Sequence, residues 1–271
     1  MQRLTGTLHS GSLKWRKCSD CDFEYPLFGG DSGMPCPECV PPPMPDDIQP
    51  RSNDDALLRT LEKCGVNMYQ YQHATLDSFE GSHDKHVAPA VNDWVRSFQA
   101  ASGQWPQRES MYLYGAKREG RQIGALGNGK THVAVAVLRR LLSWGSVTPK
   151  SARFVTAEGF LLEAEATFRT GEESERKLID RYSQFVLLII DDIGVRAEMS
   201  THALRILDEL SKAREGKATI WTSNLSLKDI ASAAPELERI ASRIAGSCGD
   251  GAKYVLRFAG PDRRVSRSRK T

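Results

Sequence analysis

The stretch Gly124-Ala-Leu-Gly127-Asn128-Gly129-Lys130-Thr131 carries the residue types that a polyphosphate requires, at the spacing of a P-loop. Glycines let the backbone turn so that its N–H groups converge on an anion, and the helix that follows presents the positive end of its dipole. Lys130 is then placed to reach the β- and γ-phosphates of ATP, and the Thr131 hydroxyl to ligate Mg2+. A second group of residues suits the same chemistry. In Ile189-Ile190-Asp191-Asp192 an apolar run ends in two carboxylates. Asp191, at the carboxyl end of a strand, is expected to hold the magnesium, and Asp192 to orient an attacking water or, alternatively, to cap a helix. In Trp221-Thr222-Ser223-Asn224, the Asn224 amide at the tip of the next strand is expected to lie between Asp192 and the γ-phosphate and to hold the lytic water. Lys130, Asp191, Asp192 and Asn224 are therefore the candidate catalytic residues.

The cysteines imply a different chemistry. Cys18-Ser-Asp-Cys21 and Cys36-Pro-Glu-Cys39 are two Cys-x-x-Cys pairs separated by fourteen residues. Two such turns supply the four thiolates of a closed, tetrahedral, structural Zn2+ site with no open position for catalysis. Phe23, Tyr25, Leu27 and Phe28 are few for a core, so metal binding is expected to supply most of this module's folding free energy. Cys64 and Cys248 read as free thiols, and His83 and His86 as part of a solvated loop.

The elements that position these residues follow from the pattern of apolar runs. Strands are expected at Met111–Tyr114, Ala152–Thr156, Val186–Ile190, Ala218–Thr222 and Lys253–Phe258, with helices at Lys130–Trp144, Glu158–Phe168 and Thr201–Glu215 and two more between Ser226 and Ala245. Alternating strands and helices imply an α/β fold with a parallel five-stranded sheet, and the unbroken run Val186–Ile190 implies a central strand covered on both faces. The segment Ala116–Ile123, with Lys117, Arg118 and Arg121, stands between Gly115 and the glycine loop as an insertion, expected to be an exposed hairpin without a ligand role. Gly115 and Gly124 both remain candidates for the first P-loop glycine. Upstream, the proline-rich Val40–Asn53 reads as a stiff linker and Asp54–Lys63 as a helix stopped by Gly65. The expected organisation is a zinc-binding module over residues 1–45, a linker and short helix over 46–71, and an ATPase domain over 72–271 with a basic tail.

Composition bounds the rest. The 271 residues carry a net charge of +3, with 26% charged and 40% hydrophobic residues. The positive excess is C-terminal: residues 251–271 hold seven Lys or Arg against one acidic residue. That tail suits phosphate contacts or simple solvation. No apolar run approaches the ~18 to 20 residues of a membrane span, and the N-terminus lacks a secretory signal, so a cytoplasmic protein is expected.

Taken together, the motifs resemble the bacterial helicase-loader family of DnaC and DnaI, with the transposition helper IstB as a cousin. The resemblance runs over about residues 72–265, through Ala74-Thr-Leu-Asp-Ser-Phe79, Met111-Tyr-Leu-Tyr-Gly115, the P-loop with Thr131-His132, Leu187-Leu-Ile-Ile-Asp-Asp-Ile-Gly194 and Thr222-Ser-Asn224. It implies an AAA+ P-loop domain behind a zinc-ribbon-like module. It also implies further roles: Arg243, in Arg239-Ile-Ala-Ser-Arg243, as an arginine finger reaching the next subunit's ATP, and Arg264 or Arg263 as a second sensor on the bound nucleotide. His132 falls with the nucleotide-binding residues, and Phe168 becomes a contact to single-stranded DNA. Without the resemblance, Phe168 reads as a core residue and Arg239 and Arg243 as a solvated helix face.

The function so implied is a slow ATP hydrolase, stimulated by assembly or DNA. It would associate with its own kind, bind single-stranded DNA and load a replicative hexameric helicase. Two other readings stand beside it: a transposition ATPase acting on duplex DNA, and a nucleotide-gated adaptor with little catalysis.

Overall fold

The computed structural model describes residues 54–79, 84–100, 109–115, 127–171, 173–194 and 200–260, with the backbone of 14–17 and 24–27. The chain divides into two compact units, Met1–Arg51 and Ser52–Thr271. In the first, β1 (Lys14–Lys17) and β2 (Glu24–Leu27) pair antiparallel, with Lys14 opposite Leu27 and Lys17 opposite Glu24. Cys18, Cys21, Cys36 and Cys39 lie outside the described residues, as do His83, the segment 116–126 with Gly124, and the tail with Arg263 and Arg264.

The second unit is built on five parallel strands: β3 (Met111–Gly115), β4 (Ala152–Thr156), β5 (Leu187–Asp191), β6 (Thr219–Ser223) and β7 (Val255–Phe258). Their order across the sheet is β4-β5-β6-β3-β7. Leu187, Leu188, Ile189 and Ile190 are fully buried, as an unalternating apolar run in a central parallel strand should be. Four of the five strands, β3, β5, β6 and β7, differ from expectation by one or two residues at one or both ends, and for β5 and β7 the differences have local causes. Val186 donates its N–H to the Ser151 carbonyl outside the ladder, while Asp191 pairs with Thr156, so Asp191 is itself the last residue of β5. Gly249 and Gly251 adopt positive φ and form a 3-10 turn with Asp250 and Ala252, which delays β7 to Val255.

Parallel strands need crossovers, and helices supply them. The helices of this unit are α1 (Asp54–Lys63), α2 (Met68–Tyr71), α3 (Val87–Ala100), α4 (Lys130–Ser143), α5 (Ala157–Thr170), α6 (Glu175–Ser183), α7 (Thr201–Ala213), α8 (Leu227–Ala231) and α9 (Pro235–Ser247). The hydroxyls of Thr156, Ser174, Ser200 and Ser226 cap α5, α6, α7 and α8, each accepting a backbone N–H of the first turn.

Of residues 46–71, expected as a linker and short helix, the part from Ser52 onward groups with the second unit. Leu61, Cys64 and Val66 are buried in the core, and Phe154 of β4 donates its N–H to the Cys64 carbonyl at 2.7 Å. Gly65 makes this approach possible: its φ is 97°, and a Cβ there would stand 2.4 Å from the Phe154 carbonyl oxygen. Helix α3, which had not been expected, buries Val87, Val91, Trp94, Val95 and Phe98 along one stripe. His86, exposed at its start, fits the solvated reading.

Candidate nucleotide-binding site

Helix α4 follows the glycine loop beyond the end of β3. Gly127 and Gly129 hold φ of 63° and 102°, a left-handed conformation that favours glycine. Gly129 occupies the N-cap with no side chain to offer, so the first-turn amides of α4 lack the hydroxyl cap that closes α5 to α8. A buried helix start left open in this way suits an anion. Lys130, only 7% exposed, donates from Nζ to Asn128 Oδ1 and to Asn224 Oδ1, each at 2.9 Å. Asn128 is completely buried and donates its own amide to the Phe258 carbonyl at 3.1 Å, tying the loop to the end of β7.

The carboxylates come from the other side of β6. Because β6 lies between β3 and β5, its tip stands between the glycine loop and Asp191. Thr131 Oγ1 donates to Asp191 Oδ1 at 2.8 Å, and Thr222 Oγ1 donates to the same oxygen at 2.6 Å. Burial pushes the Asp191 carboxyl above its ordinary pKa, while the Thr222 and Thr131 hydrogen bonds oppose that shift and the neighbouring Asp192 adds to it. Asp192 reaches solvent, at an unusual backbone φ of 56°. Asn224 joins the two halves: its Oδ1 accepts from Lys130, and its Nδ2 donates to Asp192 Oδ1 at 3.1 Å.

These groups fit a magnesium–triphosphate. A hydroxyl and a carboxylate within 2.8 Å are the hard oxygen donors that magnesium prefers, and Lys130 beside an open helix start supplies positive charge for phosphates.

The other predicted residues fall in several places. His132 is tied to the turn before α3, with its Nε2 2.9 Å from Ser78 Oγ and 3.1 Å from the Thr75 carbonyl. Arg243, on α9, is held within its own chain: it pairs with Asp208 of α7, and its Nε lies 3.0 Å from Glu215 Oε1. Arg239 reaches the same Asp208 at 3.7 Å. Arg243, with 25% of its side chain exposed, is thus engaged with α7 rather than lying on a solvated face, whereas Arg239, 58% exposed, keeps the solvated character that the helix spacing suggested. Phe168 lies on α5, and its side chain is outside the described set, as are Gly124 and Arg264.

Several contributors had no role assigned to them from sequence. Thr222 stood out only as part of the Thr222-Ser-Asn224 stretch, with no role of its own assigned to it. Ser223, in the same stretch, donates from Oγ to the Ile193 carbonyl at 2.5 Å. Tyr112 of β3, fully buried, donates to the Leu225 carbonyl at 2.7 Å and so anchors the turn that carries Asn224. Asp84, also fully buried, accepts from the Ala259 N–H at 2.7 Å and the Gly260 N–H at 3.3 Å, fixing the chain as it leaves β7.

A glycine-opened helix, a carboxylate pair two strands away and a polar strand tip between them define a P-loop nucleotide-binding domain of the AAA+ type. Residues 119–242 match the IstB-like ATP binding protein family. Over 105 residues the chain is 31% identical to the replicative helicase loader DnaC of Escherichia coli strain K12, a match that covers 38% of this chain and 41% of that protein. A crystal structure of the DnaC helicase loader superposes with a TM-score of 0.53 at 20% identity, over 70% of this chain and 98% of that one. The AMPPCP-bound DnaA of Aquifex aeolicus superposes with a TM-score of 0.50 at 15% identity, over 73% and 54% of the two chains. At those identities the superpositions establish the fold. The sequence matches make the chain similar, over part of its length, to the DnaC helicase loaders and to the IstB-like ATP binding proteins. The matched segment spans less than half the length of the curated loaders.

Proposed function

We propose that this chain binds and slowly hydrolyses ATP with Mg2+ and, as an oligomer, delivers a replicative hexameric helicase onto single-stranded DNA. The observation that carries the nucleotide reading is the convergence of Lys130, Thr131, Asp191, Asp192 and Asn224 through hydrogen bonds of 2.8 to 3.1 Å. Gly124, Gly127, Asn128 and Gly129 complete the loop around the phosphates. Thr131 and Asp191 are the residues that would hold magnesium, which when bound neutralises charge on the phosphate oxygens. Lys130 balances phosphate charge from the opposite side. Asp192, exposed and fixed by Asn224, orients a water and accepts its proton.

The loading role is supported by the similarity over 105 residues to a relative that is a replicative helicase loader. In this reading Arg243 acts on the ATP of the next subunit, Arg264 or Arg263 senses the nucleotide in its own, and Phe168 contacts single-stranded DNA. Cys18, Cys21, Cys36 and Cys39 hold Zn2+ in a module over residues 1–45 that meets the helicase. The protein acts in the cytoplasm, in keeping with the absence, among the described residues, of any helix long and apolar enough to cross a membrane. The match to the IstB-like family favours one second reading, a transposition ATPase, which shares the same nucleotide site.

Two measurements test this. Lys130→Ala removes the phosphate-binding ammonium and is expected to abolish ATP binding in equilibrium titrations; ordinary affinity in that variant rejects the P-loop assignment. Co-purification of the tagged chain with a slowly hydrolysed ATP analogue is expected to recover a hexameric helicase. Recovery of a transposase instead selects the second reading.

A further inference from the structure

We propose that Thr222 is a positioning residue for the magnesium-binding carboxylate, an inference that rests on the nucleotide-site reading above. Its hydroxyl is committed in both directions. The proton goes to Asp191 Oδ1 at 2.6 Å, and an oxygen lone pair accepts the Asp192 N–H at 2.9 Å. The Thr222 carbonyl also accepts the Ile193 N–H at 2.8 Å. One residue of β6 therefore fixes three consecutive positions at the end of β5: a side chain, then two backbone amides. Thr222 is itself 1% exposed, so water has little access to replace these bonds.

The arrangement has a physical logic. Asp191 is a buried side chain that must hold one orientation, and Asp192 holds a left-handed backbone unusual for a residue with a side chain. Thr131, the other donor to Asp191, is also the residue expected to turn toward magnesium. Thr222 lies on a neighbouring strand and has no such second task, so its bond can persist when the metal arrives. It keeps Asp191 in one rotamer and the following backbone in one conformation. Partners of this kind behind a metal ligand typically govern metal affinity by a factor of about 10 to 100.

The test measures binding of a non-hydrolysable ATP analogue to the full chain as Mg2+ is varied, with turnover as a separate readout. Thr222→Val, which keeps the shape and loses both hydrogen bonds, is expected to raise the half-saturating Mg2+ concentration by roughly 10-fold or more. Metal-free analogue binding should stay within about twofold of the unsubstituted chain, because the groups that meet phosphate are unchanged. Thr222→Ser restores the hydroxyl and is expected to restore the magnesium dependence. Should Thr222→Val fail to fold, Thr222→Ala makes the same deletion without a branched side chain and carries the same expectation. An unchanged magnesium dependence in a folded Val or Ala variant overturns the proposal, as does a Ser variant that behaves like Val. If the unsubstituted chain itself shows no magnesium-dependent binding, the nucleotide-site reading falls and this proposal falls with it, an outcome distinct from the other two.

Discussion

Asn224 touches both halves of the site with one amide group, accepting from Lys130 and donating to Asp192. Its orientation is therefore set by two partners of opposite charge, and its loss should disturb the placement of the water-orienting carboxylate more than the phosphate contacts. Asn224→Ala is expected to leave ATP affinity nearly unchanged and to slow hydrolysis by roughly 100-fold. A parallel loss of affinity in titration would instead place Asn224 among the phosphate-binding residues. Asp191 behaves differently, because burial raises its pKa and disfavours its charge. A carboxyl whose folded pKa lies above its unfolded value binds more protons in the folded state. Metal-free stability therefore declines as pH rises from the unfolded pKa, about 3.9, through the raised folded one. Asp191→Asn removes that burden and is expected to stabilise the nucleotide-free protein at neutral pH by about 1 kcal/mol, while abolishing the magnesium dependence of nucleotide binding. Magnesium requires the ionised form, so in the unsubstituted protein its affinity should weaken with acidification at a pH above the ordinary carboxylate range. Thermal melts of both proteins, with Mg2+ titrations at several pH values, decide these points together.

At the scale of elements, the strand order explains why the site could be read only in part from sequence. Gly127, Lys130, Thr131 and the Asp191-Asp192 pair were legible because loop composition and an apolar run ending in two acids are local signals. That β6 lies between β3 and β5 is a matter of crossover, which residue order does not state. The interdigitation of Thr222, Ser223 and Asn224 with Asp191, Asp192 and Ile193 follows from that pairing. The same holds for His132: in sequence it adjoins the P-loop, yet it is bonded to Ser78, 54 residues away. Helices α3 and α6 escaped notice for local reasons. Pro89 in the first turn of α3 reads as a breaker although that position tolerates proline, and the nine-residue α6 buries only Leu178, Ile179, Tyr182 and Ser183. Helices α7 and α9 bear on Arg243. Asp208 and Glu215 hold it inside its own chain, so a role in the next subunit requires exchange of these partners for phosphate. Arg243→Ala is therefore expected to leave single-chain ATP binding intact while removing the rise in turnover with protein concentration. A variant whose turnover still climbs with assembly would confine Arg243 to bracing α9 against α7.

At the scale of the whole molecule, the chain divides at Arg51 into two units whose sequences offer different means of holding a fold. Residues 52–271 enclose a continuous apolar core around a five-stranded sheet, enough to fold without a metal. Among its described residues the first unit has one short antiparallel pair, and its sequence offers four cysteines beside few large apolar residues. If zinc supplies its folding free energy, the two units must respond oppositely to chelation. The purified full chain is expected to contain one zinc per molecule by elemental analysis. A strong chelator should then make protease cleavage within residues 1–51 faster by an order of magnitude or more, since cleavage tracks the population of the unfolded form. ATP affinity, which depends on residues from Gly124 to Asn224, should not change under the same treatment. Cys36→Ser should reproduce the chelator's effect with no chelator present. Loss of ATP binding together with the metal would mean that the cysteine-bearing unit supports the nucleotide site itself, and resistance of residues 1–51 to protease after complete zinc removal would mean that the four cysteines hold nothing essential to that unit's fold.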